Sequence, residues 1–268
     1  MAKLSVNETT TFRWSLEEDA AAYSAAGIPA IGVWRQKLSD VGAIRAAELL
    51  AEHRLEASHL FWAGGFTGSD GRTYRESVQD ACQAIRSAAV LKTGCLAVCS
   101  GTRAGHTINH ANRLLRDALA EVAPLAEELG VTLAVESMHP GCAADCTFLT
   151  SLDAAVKLLD AIGNPWVKLV LDTYHLGHDT NLVARIPEIA PQIALVRLGD
   201  ARQPPDGEQN RCRLGEGKLP LREIVAALKA AGYDGYYDVE LLGEDVESCD
   251  YHSLLDHAKA AYADLLGA

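Results

Sequence analysis

The 268-residue chain has no long apolar run and no excess of positive charge. It carries 24 Lys and Arg against 36 Asp and Glu, a formal net charge of −12. This balance disfavours a nucleic-acid backbone or an anionic membrane surface as a partner, since both are negatively charged. No apolar segment approaches the roughly 20 residues of a membrane-spanning helix. We therefore expect neither a nucleic acid nor a membrane as a partner. A small anionic substrate is not excluded, because local fields in a cleft can oppose the overall sign of charge.

The seven cysteines lack the spacing of a structural zinc site or a disulfide framework. Their number is odd, and Cys142 and Cys146 have no second CxxC-type pair. Reduced thiols are typical of the cytoplasm. The first residues also lack the apolar stretch of a secretory signal. We therefore predict a cytoplasmic protein with free thiols.

The chain also lacks a G-x-G-x-x-G fingerprint after its first strand, which counts against a dinucleotide-binding open sheet. Instead, short apolar runs alternate with longer Ala-, Leu- and Glu-rich runs of helical periodicity. Strands are predicted at 4–8, 29–34, 57–62, 94–99, 131–136, 167–172, 193–198 and 235–240. Because no composition break interrupts this pattern, we predict one α/β domain over residues 1–268, a closed (β/α)8 TIM barrel. A doubly wound open sheet is the alternative.

Helices are predicted between these strands. Ser15 and Glu18 have the spacing of a capping box, and Gly27 is placed to end the first helix. A second helix is expected over 40–53. The later helices are expected at about 73–91, 107–129, from 151, 181–189, 221–232 and 252–266.

Charged residues stand at the ends of four predicted strands. Strand five ends in Glu136, strand six in Asp172 and strand eight in Glu240, and strand seven carries Arg197 next to its end. In a TIM barrel the active site lies at the carboxyl ends of the strands. We therefore expect the three carboxylates and the guanidinium group to converge at one mouth of the barrel.

Alternation of side chains decides which residues point into the barrel. It places Glu136 on the inner face of strand five, together with Ala134. It likewise places Ile193, Leu195 and Arg197 on one face of strand seven. Three converging carboxylates repel one another unless a cation or shared protons intervene. Oxygen ligands favour Mg²⁺ or Mn²⁺, whereas three solvated loop-edge acids are the simpler alternative.

Four segments in this order carry a resemblance to a known family: "GVTLAVESMHP", "LVLDTYHLGHD", "VRLGD" followed by "RLGEG", and "GYYDVE". The chain resembles the xylose isomerase-like TIM barrels, the sugar phosphate isomerase/epimerase superfamily. The resemblance implies that Glu136, Asp172 and Glu240 bind one divalent metal together with a His or Gln on strand seven. It also implies that His175, of the family's Asp-x-x-His, contacts the substrate.

Arg197 departs from this family pattern, because a protonated guanidinium group cannot ligate a metal. In one interpretation a metal, Mn²⁺ or Mg²⁺, remains on the three carboxylates, and water or a nearby His fills the gap. In a second, the guanidinium group replaces the charge of the metal and polarises a substrate oxygen itself. In a third, the strand register differs and Arg197 faces the helices.

The chemistry implied by the family is proton transfer next to a carbonyl group in a keto-sugar or cyclitol. The enolate must be stabilised by a cation while a base removes the proton. Glu136 and Glu240 are the expected catalytic pair, because two carboxylates on opposite faces of one carbon could invert it. A lyase or dehydratase acting on a keto-sugar, an inosose or a dehydroshikimate-like acid would share this first step.

The remaining candidates are substrate-binding residues: His139, Trp62 and Arg211 join His175 and Arg197 in this role. A non-catalytic sugar-binding subunit is a further alternative that the loss of the strand-seven ligand would explain. A nuclease for apurinic sites fits poorly, since the chain lacks a basic surface for DNA. A homo-oligomer is expected from the family resemblance alone.

Overall fold

The computed structural model describes residues 3–267 as a closed barrel of eight parallel strands. Each strand pairs with the next along the chain, and β8 pairs with β1. The strands are β1 (Lys3–Asn7), β2 (Ala30–Trp34), β3 (Glu56–Gly64), β4 (Cys95–Cys99), β5 (Thr132–Glu136), β6 (Val167–Asp172), β7 (Ile193–Leu198) and β8 (Tyr236–Val239). All eight predicted strands are therefore present, and closure confirms the TIM barrel over the open sheet.

Eleven α-helices surround the barrel within the part of the chain that the structure describes. They are α1 (Leu16–Ala25), α2 (Arg35–Val41), α3 (Ala43–Glu52), α4 (Tyr74–Val90), α5 (Ile108–Leu129), α6 (Leu152–Ile162), α7 (Thr173–Leu176), α8 (Leu182–Ile189), α9 (Leu221–Ala230), α10 (Glu244–Glu247) and α11 (Tyr251–Leu266). Across residues 3–267, none of these helices combines the length and the apolar character needed to cross a membrane.

Local signals explain where several helices begin and end. Ser15 and Glu18 form the predicted capping box at the start of α1, and Gly27 follows that helix with a φ of 70°. The predicted helix over 40–53 is wrong in its extent. Gly42 adopts a φ of 77°, outside the helical region, and divides the segment into α2 and α3.

The interior of the barrel is divided into an apolar side and a polar side. A small apolar cluster fills the side formed by β4 to β7, with Ala97, Ala134, Val170 and Leu195 among its residues. Buried polar side chains fill the opposite side, on β1, β3 and β8: Ser5, Asn7, Ser58, His59 and Asp238. The larger hydrophobic core lies between the strands and the surrounding helices.

The predicted shared face of strand seven is correct for Leu195 and Arg197 but wrong for Ile193. The pairing of β6 with β7 shifts register between Leu169 and Val170, and Ile193 packs in the outer core. Such an irregularity interrupts the strict alternation of side chains along a strand. Ile193 therefore faces the helices, whereas Leu195 faces the interior of the barrel. Arg197 points into the barrel, and the helix-facing interpretation is therefore wrong.

Candidate active site

The charged residues predicted at the strand ends meet at the carboxyl end of the barrel. Glu136, Arg197, Glu240 and His175 line an inner cavity of about 130 Å³, and Arg211 joins them from the loop between β7 and α9. All five side chains are buried. We refer to Glu136, Asp172, Arg197, Arg211 and Glu240 as the mouth cluster.

Arg197 lies at the centre of the mouth cluster. Its Nη1 donates to Oε1 of Glu136 at 2.6 Å and lies 3.8 Å from Oε2 of Glu240. The same nitrogen is 4.0 Å from Oδ2 of Asp172. The ring of Phe61 lies 4.6 Å from the guanidinium carbon, as in a cation–π contact. One guanidinium nitrogen thus faces all three carboxylates that the resemblance assigns to a metal.

Arg211 supplies a second guanidinium group to the same carboxylates. It binds Asp172 through two nitrogens, with Nη1 to Oδ1 at 3.2 Å and Nη2 to Oδ2 at 2.9 Å. Its Nη2 also lies 2.8 Å from Oε2 of Glu240 and donates to Oε1 of Gln209 at 2.9 Å. The ring of Tyr174 covers the guanidinium group at 4.5 Å. Arg211 therefore links the ends of β6 and β8.

Asp172 lies behind the cavity and is fully buried. Its Oδ1 accepts hydrogen bonds from the backbone N–H groups of Tyr174, at 2.8 Å, and His175, at 3.4 Å, and so caps α7. Burial alone would raise the pKa of Asp172, but the guanidinium group of Arg211 holds it below its usual range. Asp172 is therefore an anion that positions both Arg211 and the helix that carries His175.

Burial determines the direction of the pKa shift in two other titratable groups of the site, Glu136 and His175. Burial raises the pKa of Glu136 to about 7, and Arg197 opposes this rise. Burial lowers the pKa of His175 to about 3, so its imidazole is neutral at physiological pH. With this pKa the carboxyl group of Glu136 is divided between its protonated and ionised forms near neutral pH.

A polar layer supports Arg197 from inside the barrel. Its Nε lies 3.6 Å from Oδ2 of Asp238, and its Nη2 lies 3.4 Å from Nε2 of His59. Asp238 is held in turn by Ser5 at 2.8 Å and by Asn7 at 3.1 Å. Burial and the neighbouring Arg197 keep the pKa of His59 well below its usual value. The neutral imidazole of His59 and the carboxyl group of Asp238 therefore hold the Arg197 side chain in place.

The donor atoms present can be compared with the needs of a metal ion. One donor atom each from Glu136, Asp172 and His175 lies within 4.8 Å of the others, a grouping that could hold a metal ion. The space between them, however, contains guanidinium nitrogens: Nη2 of Arg211 lies 3.4 Å from Nε2 of His175. A divalent ion at roughly 2.1 Å from these oxygens would stand close to two cations. The donors suit a metal, but the present arrangement of the arginines does not.

The other predicted substrate-binding residues have mixed outcomes. Trp62, at the carboxyl end of β3, lines the inner cavity. His139 does not line it: its Nδ1 accepts from the backbone N–H of Gly141, and its ring packs beside His178. The chain turns away after Glu136, so Met138 rather than His139 faces the cavity. Direct substrate contact by His139 is therefore not what the geometry favours.

Sequence reasoning missed several residues of the site. Alternation along β8 places Asp238 on the same face as Glu240, and alternation along β3 places His59 with Phe61, so these could have been found. Strand alternation could not have found Thr9 or Gln209. Thr9 follows the end of β1, and Gln209 lies within the long loop between β7 and α9. Thr9 donates to Oε1 of Glu240 at 2.9 Å.

A family model for the xylose isomerase-like TIM barrel matches residues 20–265 of the chain. A putative hydroxypyruvate isomerase from Streptomyces coelicolor is 27% identical over 272 residues, covering 92% of each protein. An inosose isomerase from Bacillus velezensis is 24% identical and covers 89% of this chain and 88% of its own length. A D-psicose 3-epimerase from Enterocloster bolteae is 32% identical, but over only 44% of this chain and 36% of its own length.

Solved structures agree with the fold. The protein SMc04130 from Sinorhizobium meliloti superposes with a TM-score of 0.90 at 26% identity, covering 98% of both chains. The IOLI protein with a binding zinc atom has a TM-score of 0.85 at 21% identity, covering 99% of this chain and 98% of its own. At that identity the second likeness shows the shared fold alone.

Proposed function

Because the chain belongs to the xylose isomerase-like TIM barrel family, whose named relatives above are isomerases and an epimerase, we propose that it moves a proton at a carbon next to a carbonyl group. Its substrate is a keto-sugar or a cyclitol, and its product is an isomer or epimer. The single observation that carries this proposal is the pair of buried carboxylates, Glu136 and Glu240, that faces one cavity across a guanidinium group.

The two carboxylates have the placement that proton exchange needs. Glu136 ends β5 and Glu240 follows β8, so they reach the cavity from different sides of the barrel. Both have an oxygen within 4 Å of Nη1 of Arg197. In the proposal Glu136, with its pKa raised to about 7, removes the proton, and Glu240 returns one from the other side.

The enolate formed in this step carries a developing negative charge on oxygen. Arg197 and Arg211 are both buried, and fixed cations in a buried site stabilise such a charge strongly. Asp238 and His59 hold Arg197 from below, so it does not reorganise during the reaction. In this mechanism the arginines supply the positive charge, and His175 and Trp62 contact the substrate.

A metal-assisted reaction is the second candidate, with Mn²⁺ or Mg²⁺ as the cation. The donor group of Glu136, Asp172 and His175 favours it. It requires both guanidinium groups to move away from the carboxylates. Metal content and chelator sensitivity separate the two candidates.

The proposal is tested by incubating the protein in deuterium oxide with a panel of ketoses and inososes. We expect deuterium at the carbon next to the carbonyl group, detected by NMR. Glu136→Gln and Glu240→Gln should each lower the exchange rate by roughly 10²–10⁴-fold, the usual contribution of a general acid or base. Glu8→Gln is the matched control, because Glu8 is equally buried but lines neither this cavity nor its mouth.

The products distinguish the remaining alternatives. Loss of water from the labelled substrate would identify a lyase or dehydratase. Absence of exchange with every member of the panel, despite saturable binding, would identify a non-catalytic sugar-binding protein and contradict the proposal.

A further inference from the structure

A larger cavity lies directly outside the inner one. It has a volume of about 760 Å³ and shares Thr9, Gln209 and Leu242 with the inner cavity. Small-molecule sites usually measure about 300–1,000 Å³, so the inner cavity alone, at about 130 Å³, is too small. A sugar whose carbonyl end reaches the mouth cluster therefore extends into the outer cavity.

The outer cavity is strongly acidic. One cation, Arg202, lines it, and it is already paired with Glu216 at 3.0 Å and with Asp245 at 2.9 Å. Five carboxylates line the same cavity: Asp206, Glu208, Glu244, Asp245 and Glu247. A phosphate ester carries close to two negative charges at neutral pH. The five carboxylates would repel such a phosphate group. Among the lining residues, no unpaired guanidinium group is present to bind it.

The inner cavity offers no free cation either. Arg197 and Arg211 are both paired with carboxylates of the mouth cluster. Arg13 lies near the rim, stacked on the rings of Phe12 and Tyr251 with its guanidinium carbon 5.0 Å from each. Its Nη2 donates to the backbone carbonyl of Glu247, so it is turned towards the loop.

Two aromatic side chains form part of the wall of the outer cavity. Trp34 and Phe12 line it, and the Phe12 side chain is 45% exposed. Aromatic rings bury the apolar C–H face of a neutral ligand while the surrounding polar groups accept its hydroxyl hydrogens. The carboxylates of this cavity are acceptors, and sugar hydroxyl groups are donors.

We infer that the outer cavity binds the uncharged, hydroxylated remainder of an unphosphorylated substrate and rejects phosphorylated sugars. This inference rests on the proposed function, because it assumes that the carbonyl end occupies the inner cavity. The neutral substrate spans both cavities, with its hydroxyl groups donating to the carboxylates of the outer wall.

The test compares ketoses with their terminal phosphates, which differ only in that group: fructose, tagatose, xylulose and ribulose. For each pair, deuterium exchange and binding are measured. Binding is followed by the intrinsic tryptophan fluorescence, since Trp34 and Trp62 line the two cavities. We expect at least about tenfold higher kcat/KM for the unphosphorylated member of any pair that reacts. Inorganic phosphate, used as a separate probe, should show no saturable binding up to millimolar concentration.

A charge-relief variant sharpens the test. Glu208→Gln/Glu247→Gln removes two carboxylates from the outer wall. It should reduce the preference for the unphosphorylated sugar over its phosphate roughly fivefold at low salt. The effect should shrink at high salt, because exposed charges are screened. Glu127→Gln/Glu128→Gln changes the net charge equally at the exposed end of α5, and it should leave the preference unchanged.

The outcomes separate this inference from the proposed function. Equal or better turnover of the phosphorylated members would overturn the inference while supporting the proton-transfer reaction. Saturable binding of inorganic phosphate would overturn it even if no sugar reacts. No exchange with either member, together with tighter binding of the unphosphorylated member, would contradict the proposed function and support the exclusion of phosphate.

Discussion

Two groups of buried charged side chains near the carboxyl ends of the strands differ in what they face. The mouth cluster lines or underlies the inner cavity. A second group, which we call the β1–β2 cluster, consists of Glu8, Asp19 and Lys37 and lies behind the first two strands. Both are buried, and both contain carboxyl groups whose pKa burial raises.

The β1–β2 cluster uses its hydrogen bonds to hold the backbone. Nζ of Lys37 donates to the carbonyl groups of Glu8, at 3.2 Å, and Thr11, at 2.9 Å, and also to Asp19. An ammonium group has three protons, so none remains for a ligand. None of the three side chains lines the inner or the outer cavity. Burial and a shifted pKa therefore do not identify a site by themselves; access to a cavity does.

Among the variants that compare the two clusters, the largest effect is expected from Asp172→Asn in the mouth cluster. Asparagine keeps an oxygen that can cap α7 but removes the charge that holds Arg211 at two points. We expect a folded protein whose kcat falls at least about 100-fold, because a misplaced catalytic group costs that much. Circular dichroism and the exchange assay measure the two properties. Full turnover by this variant would contradict the assignment of the mouth cluster as the site.

Asp19→Asn in the β1–β2 cluster should show the opposite pattern. It leaves Lys37 buried without its charge partner, and breaking such a pair costs about 3–5 kcal/mol in the free energy of unfolding. For a chain of this size that corresponds to a fall of roughly 10 °C in Tm. The kcat should stay unchanged.

The double variant Asp19→Leu/Lys37→Met is the control for this interpretation. Because apolar residues of similar volume can replace a buried ion pair, much of the lost stability should return. A loss of kcat without a loss of stability in either variant would place the β1–β2 cluster in the catalytic machinery.

The pH dependence of kcat/KM should report Glu136. The carboxylate is the active form of the base, and burial raises its pKa to about 7. We therefore expect kcat/KM to rise about tenfold per pH unit below 7, as the Glu136 carboxyl group ionises. A profile that is flat between pH 5 and 8 would show that another group removes the proton. Glu8→Gln should leave the pH range of this rise in kcat/KM unchanged.

The smallest effect is expected on stability from Glu8→Gln. Burial raises the pKa of Glu8 above its value in the unfolded chain. Its contribution to stability is therefore present at low pH and is lost as the pH rises. Glutamine removes this loss, so the free energy of unfolding at pH 8 should be higher for the variant than for the parent chain. The two proteins should be about equal at pH 4; greater stability of the parent chain at pH 8 would contradict this explanation.

The fold was predictable because each strand combines a short apolar run with flanking turn residues. Strand-end residues such as Glu136 and Asp172 were predictable for the same reason, since parallel strands bring their carboxyl ends together. Ile193 was misplaced because the irregular pairing of β6 with β7 depends on neighbouring strands, which no local pattern reports.

The pairing of Arg211 with Asp172 was beyond the sequence signal. The two residues are 39 positions apart, and their contact depends on how the loop after β7 folds back over the barrel. The short α7 was missed as well, because its only cap is the Asp172 side chain. His139 was misplaced because the direction of a loop after a strand is decided by tertiary packing rather than by spacing. The roles of the site residues, the domain bounds of 1–268 and the cytoplasmic location stay predictions.

The central claim is that Arg197 supplies the cation of the mouth cluster. The most direct measurement is the Mn²⁺ content per chain after loading and dialysis, by elemental analysis, for the parent protein and for Arg197→His. We predict much less than one ion per parent chain and exchange activity that survives chelators, with stronger Mn²⁺ binding in the variant, which regains a ligand. One tightly held ion per parent chain, with activity lost on chelation, would contradict the claim.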